Sequence, residues 1–128
     1  MGQLSTTVAF GASRANSTSL SQNWADFGEI QQGELAVIPV QLINTSTSPQ
    51  VLESVHLEGD DMVFSVNSLC AGILAPGTAC TLEIEFFPQD FWGDFSGQIR
   101  IQTKSAQPGT GRSEELELTL RGRASPAY

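Results

Sequence analysis

The chain predicts an all-β fold, an immunoglobulin-like β-sandwich of seven to eight antiparallel strands with an N-terminal arm. Three observations carry that expectation. Short segments alternate apolar and polar residues with period two, clusters of turn-forming residues separate them at regular spacing, and no stretch shows a helical period. A small closed barrel is the main rival. At 128 residues and 13.7 kDa the chain is one domain's worth. That length buries roughly two-thirds of the unfolded surface, enough for a core without a metal or cofactor. Nothing repeats internally, so a single module is expected.

The elements follow in order. Residues 1–23 are rich in Ser, Thr, Asn, Gly and Ala, with one weak strand-like run at Thr7-Val8-Ala9-Phe10. Left alone, such a segment is expected to be a flexible arm, and a neighbouring subunit is the expected means of holding it. Residues 24–123 are expected to form the sandwich and 124–128 a tail. Ala36–Ile43 offers Ile38, Val40 and Leu42 to one side, while Pro39 lacks a ladder donor and favours an edge or a bulge. Val51–Leu57 and Met62–Val66 are strand-like, the second presenting Met62, Phe64 and Val66 in alternation. Cys80–Phe86 alternates most clearly, with Cys80, Leu82, Ile84 and Phe86 against Thr81, Glu83 and Glu85. The pattern returns in Phe95–Gln102 and Leu116–Arg121. Turn chemistry at Asn44–Pro49, Glu58–Asp61, Ala75–Gly77 and Gln107–Gly111 punctuates the strands.

Charge and composition remove several classes. Six basic against 14 acidic residues give a net charge of −8 and a pI near 4.3. Counterion release has too few cations to work with, so nucleic acid is not an expected partner. Charged residues are only 16% of the chain, and 14 Ser and 10 Thr replace them, so the surface is expected to be neutral-polar with acidic spots. No run approaches the roughly 18 apolar residues that a bilayer span needs, and Met1–Thr7 has no basic region leading into an apolar stretch. Neither membrane insertion nor a signal peptide is expected.

Read as one string, several segments fall in a familiar order. They are Asp26-Phe27-Gly28-Glu29-Ile30, Gly33, Gln41-Leu42-Ile43-Asn44-Thr45-Ser46, Phe64-Ser65-Val66, the run from Cys70 to Pro88, Gly93, and Leu118-Thr119-Leu120-Arg121-Gly122. The most specific portion is a Leu-x-Pro-Gly-x-x-Cys turn, Leu74 to Cys80, leading into a strand that ends Phe86-Phe87-Pro88. Over about residues 24–123 the chain resembles the ASH-type immunoglobulin-like domains of abnormal-spindle and hydin proteins, especially their bacterial "choice-of-anchor D" version. The resemblance implies a sandwich related to the major sperm protein and pilus chaperone group, serving as a non-catalytic binding or assembly module. Fold alone does not assign a job. Two departures stand out: the linker between Pro88 and Gly93 contains Phe91 and Trp92, and an arm stands where such modules join a larger protein.

Cys70 and Cys80 are the only cysteines, with Pro76-Gly77 between them to turn the chain back. A disulfide worth roughly 3 kcal/mol is the natural reading, and the resemblance points the same way; a pair of reduced buried thiols is the alternative. A bridge would place maturation in an oxidising compartment. With the single His56 and no second ligand pair, zinc is not expected, nor is any other metal or cofactor. His56, between Val55 and Leu57, is expected on a solvent face; Ser54 or Ser65 with Asp60 or Asp61 completes a triad only on paper. Glu58, Asp60 and Asp61 lack the spacing of an EF-hand loop. Asn16-Ser17-Thr18 and Asn44-Thr45-Ser46 match the glycosylation pattern that arises by chance in such a composition, and they receive no role.

The interface candidates are Val8 and Phe10 in the arm, and Trp24, Phe91 and Trp92. Period two does not accommodate both Phe91 and Trp92, so either one is exposed as an interface anchor or both close the end of the sandwich. The chain is therefore not expected to be an enzyme. Its expected role is a non-catalytic structural or interaction module, a multi-copy subunit of a virion such as a phage capsid decoration, cement or tail protein, docking through its arm. Expected partners are other protein subunits, with a homo-oligomer or lattice among the arrangements, in a virion or extracellular location. The alternative is an adhesion or carbohydrate-binding module of a secreted bacterial protein. A disulfide argues against a third reading, an intracellular scaffold.

Overall fold

The computed structural model describes residues 17–106 and 113–127. Nine strands lie within them: β1 (Thr18–Leu20), β2 (Trp24–Gln31), β3 (Ala36–Asn44), β4 (Gln50–Gly59), β5 (Phe64–Ser68), β6 (Ile73–Leu74), β7 (Ala79–Phe86), β8 (Gly93–Ser105) and β9 (Ser113–Ser125). They form a five-stranded sheet, β2-β9-β8-β4-β6, and a four-stranded sheet, β1-β3-β7-β5. This is the immunoglobulin-like sandwich. Its strands pair antiparallel except β2 and β9, which run parallel. Among the described residues no helix is long and apolar enough to cross a membrane.

The count exceeds seven to eight because β1 and β6 span only three and two residues, too few to show a period. β1 also moves the start of the sandwich back into the expected arm. Thr18 pairs with Asn44 and is fully buried, and Ser17 N–H is held by both oxygens of Glu114 at 2.9 and 3.0 Å. At the other terminus β9 runs to Ser125, with Ala124 in the core, so the sandwich also continues past residue 123. Val8, Phe10 and the Gln107–Gly111 turn lie outside the described residues.

Two strands change phase midway. In β4, register shifts between Leu52 and Ser54, so Glu53 is an extra residue; Leu52 faces the core before it, Val55 and Leu57 after it. In β2, Ala25 and Phe27 point inward, then Ile30 does, because Phe27 and Gly28 of β2 answer the single Gly122 of β9 between the pairs Asp26–Arg121 and Glu29–Arg123. Gly28 makes that bulge. Its φ of 66° is the left-handed conformation that glycine adopts freely, and its N–H reaches Asp26 Oδ1 at 2.9 Å.

Pro39 satisfies the edge expectation locally, although β3 lies inside its sheet. Gln41 sends its N–H to Ser21 Oγ and accepts Ser21 N–H, both at 2.9 Å, so its backbone groups face the β1 side. Two residues back, Pro39 faces the same way, where β1 has already ended. The missing donor therefore opens on solvent. Met62 departs from expectation. Strand β5 starts only at Phe64, which leaves Met62 in the preceding turn and exposed instead of inward.

Inward residues of both sheets build one core, with Val40, Leu82, Ile84, Phe86, Ile99, Ile101, Leu118 and Leu120 fully buried. At one end it is aromatic: the Phe86 ring lies 5.1 Å from Phe64, 5.5 Å from Phe27 and 6.0 Å from Phe95. Gly122 makes room for that cluster, since a Cβ there would stand 2.6 Å from the Phe86 ring. The opposite end is sealed by polar groups, with Thr18 and Thr103 hydroxyls 3.0 Å apart and Asn44 fully buried.

Candidate functional site

The loops that cap the aromatic end come from Gln32–Leu35, Asp60–Val63 and Phe87–Trp92, between strands that end or begin there. They are pinned to one another. Phe87 N–H donates to Val63 O at 2.8 Å, Gln89 Nε2 to Met62 O at 3.3 Å, and Gln32 Nε2 to Asp90 O. Phe91 N–H closes a turn on Pro88 O at 2.9 Å, and Gln89 sits at a φ of 55°, a left-handed conformation that non-glycine residues seldom adopt. A loop held at these points presents its side chains in a fixed arrangement.

What it presents is apolar. Trp92 is 65% exposed and Phe91 44%, and Leu35, Met62 and Phe87 are exposed on the same end. The core beneath them is closed by Phe27, Phe64, Phe86 and Phe95, with Phe91 and Trp92 outside that packing. Trp24 is separate. It pairs with Thr119, which faces Gln98, five residues along β8 from Gly93, or about 17 Å from the Phe91–Trp92 loop. Trp24 is 53% exposed on the outer face of the five-stranded sheet, with the Arg121 guanidinium 5.5 Å from the ring centroid. Of the expected interface residues, the structure brings Phe91 and Trp92 together and leaves Trp24 apart. Leu35, Met62 and Phe87 are the members that sequence reasoning missed: Met62 reads as core in alternation with Phe64 and Val66, while Leu35 and Phe87 are single apolar residues beside strands, out of phase with their core faces.

The outer face of the five-stranded sheet carries the described cations. Arg100 lies 3.5 Å from Glu58 and 3.6 Å from Glu115, Lys104 3.3 Å from Glu53, and Arg123 2.7 Å from Asp94. The hydrogen bond and charge of Asp94 raise the Arg123 pKa above its usual value. His56 is on this face, exposed and 3.5 Å from Glu58. The paper triad does not assemble. Ser65 belongs to the other sheet, Ser54 Oγ is spent on Gln102 Oε1, and Asp60 Oδ2 accepts Ser96 N–H at 2.8 Å. Among the described residues no three His, Cys, Asp or Glu converge as a metal site.

Cys70 and Cys80 form a disulfide at the opposite, polar end, with Cα atoms 5.2 Å apart. It joins the exit of β5 to the start of β7 and closes the loop that contains β6.

A family model described as HYDIN/CFA65/VesB-like, Ig-like domain matches residues 16–123. The chain belongs to this family of Ig-like domains. That match bears out the resemblance to the immunoglobulin-like domains of hydin-type proteins, and solved structures share the fold. The ASH/PapD-like domain 7 of human CEP192 is similar at a TM-score of 0.68 and 18% identity, over 88% of this chain and 87% of that one. The VesB protease of Vibrio cholerae is similar at 0.66 and 17%, over 84% of this chain but only 32% of its own. The secreted serine protease VesC of the same organism gives 0.53 and 18%, over 84% and 23%. The chain thus spans a third or less of those two proteases, and at these identities the likeness is one of fold. No curated protein matches.

Proposed function

We propose that this Ig-like domain is a non-catalytic protein-interaction module of a secreted bacterial protein, docking on its partner through the aromatic end of the sandwich. The observation that carries the reading is the cluster of Trp92, Phe91, Met62, Leu35 and Phe87, exposed together on loops pinned by backbone and side-chain hydrogen bonds. Rigid exposed aromatics lose little entropy when they are covered, which is why they dominate interface energetics. The Cys70–Cys80 bridge supports an oxidising, extracellular setting. The likeness to part of a secreted protease supports a module within a larger secreted protein.

A multi-copy virion subunit is the other form that such a module takes, and one experiment separates the two. Density-gradient sedimentation of the native source material, with mass spectrometry of each fraction, leaves a secreted module in the light fractions and carries a virion subunit with large particles in fixed ratio. The Phe91→Ala/Trp92→Ala double variant then tests the docking end. Partner association is expected to fall at least tenfold while the thermal midpoint stays within about 2 °C, since these side chains lie outside the core. Lost stability with unchanged association would assign the pair to closing the fold and would end the proposal.

A further inference from the structure

Strand β5 is the outer edge of the four-stranded sheet and pairs only with β7. Val63 O accepts Phe87 N–H at 2.8 Å and Leu69 N–H reaches Thr81 O at 2.9 Å, so residues 63 and 69 direct backbone groups toward β7. By the two-residue period, Ser65 and Asn67 do the same, whereas Phe64, Val66 and Ser68 direct theirs outward. Phe64 N–H is taken up by Asp60 O. Among the described residues nothing pairs with the N–H and C=O of Val66 or the N–H of Ser68.

Open edges are ordinarily blunted by charge, proline, a bulge or a cover. The other open stretches here have such devices: Pro39 on β3, Asp26, Glu29 and the Gly28 bulge on β2, and Glu53 with its bulge on β4. β5 reads Phe-Ser-Val-Asn-Ser, with no charge and no proline, in unbroken register with β7 and flanked by exposed Met62 and Leu69. The edge strands β1 and β6 are blunted by spanning only three and two residues, so among the described strands of more than three residues β5 is the edge left as a template.

The charges say what fits it. Glu83 and Glu85 stand on the outer face of β7, beside β5, where they accept Asn67 Nδ2 at 3.1 Å and Ser65 Oγ at 3.3 Å and pair with no described cation. Arg100, Lys104, Arg121 and Arg123 all lie on the outer face of the other sheet. Next to Ser65 a groove of about 300 Å3 opens on the same outer face, with apolar walls from Leu35, Met62 and Phe87 and carboxylates from Asp61 and Glu85. Apolar walls leading to a carboxylate suit a Lys or Arg, whose stem is hydrocarbon and whose head is cationic.

We propose that β5 accepts an added strand from a partner protein, an extended segment in which Lys or Arg alternates with apolar residues. Its outward basic side chains lie over Ser65 and Asn67 toward Glu85 and Glu83, one of them in the groove. Its inward apolar side chains extend the core beyond half-buried Val66. A second copy of this chain is the wrong occupant, because it would bring its own Glu83 and Glu85 and a further net charge of −8 to the same edge. The proposal rests on the protein-docking reading above and names the partner's chemistry.

The test uses the full 15N-labelled chain and two probes, a decapeptide alternating Lys and Val and its Glu–Val counterpart. The Lys–Val peptide is expected to bind saturably, slow amide exchange at Val66 and Ser68, and lose affinity about tenfold against Glu83→Lys/Glu85→Lys. Val66→Pro removes an outward N–H without removing a β7 ladder bond and is expected to abolish binding. If that variant fails to fold, the charge reversal alone decides. Absence of Lys–Val binding, equal binding of Glu–Val, protection elsewhere on the chain, self-association through β5 in place of peptide binding, or indifference to the charge reversal would each overturn the proposal. Phe91→Ala/Trp92→Ala is expected to leave peptide binding unchanged, so failure of the aromatic docking end and failure of the β5 edge are read separately.

Discussion

Asn44 is where a single side chain holds the most structure. Its Nδ2 donates to Ser48 O at 2.9 Å and Leu74 O at 2.8 Å, and its Oδ1 accepts Ser46 N–H at 2.9 Å and Ser46 Oγ at 2.7 Å. Its backbone bonds Thr78 O and Gly77 N–H, both at 2.9 Å. With both donors and the acceptor used and no exposure, the amide is closed to a glycan in the folded chain, which disposes of the Asn-Thr-Ser match. Asn44→Ala would leave the half-buried Leu74 carbonyl and Ser46 N–H without their partner and Ser48 O with Ser46 Oγ alone, a loss of about 2–3 kcal/mol in urea unfolding at unchanged slope. A loss under about 1 kcal/mol would mean that water replaces the amide. The sequence marks Asn44 as a turn former and no more, because its partner Leu74 lies 30 residues away. Gly122 is legible in the same limited way. The closing Leu-x-Leu-x-Gly pattern is visible in the chain, but only the Phe86 ring 2.6 Å from its missing Cβ supplies the reason.

At the scale of elements, legibility follows phase. β7, β8 and β9 keep one alternation from end to end and are recognisable from period two alone, extending beyond their expected limits by pairing with neighbours. β2 and β4 reverse phase at Gly28 and Glu53, so a single template matches only half of each. β1 and β6 have no period to show and exist because longer strands pair with them. β6 depends on a covalent support as well. Its two residues pair only with Gln50 and Val51, and the Cys70–Cys80 bridge holds the loop that carries it. Replacing both cysteines by serine is expected to cost about 2–4 kcal/mol, with amide protection lost first over residues 69–79 and retained in β8 and β9. Uniform loss of protection would show that the bridge supports the whole sandwich rather than this loop.

Across the whole molecule the candidate site was half legible. Phe91 and Trp92 are marked by breaking the strand pattern and Met62 is hidden by obeying it, while Leu35 and Phe87 stand out of phase beside the core faces of β3 and β7, where only the three-dimensional loop cluster shows what they build. The charge asymmetry between the sheets is likewise a property of the fold. Cations interleave with carboxylates on the five-stranded face, while Glu83 and Glu85 on the other face, and Asp61 near them, pair with no described cation. Salt acts on the two faces in opposite directions. Screening weakens exposed ion pairs worth about 0–1 kcal/mol each, and it relieves the repulsion of a net charge of −8 that folding compresses into a small volume. The pairs are exposed and few, whereas the excess carboxylates act together, so relief is expected to win. The thermal midpoint should rise by roughly 2–4 °C between 10 and 150 mM NaCl in calorimetry at neutral pH. A fall instead would mean that the ladder joining Glu58, Arg100 and Glu115 is worth more as a network than its separate pairs, and the five-stranded face would then be the stabilising half of the sandwich.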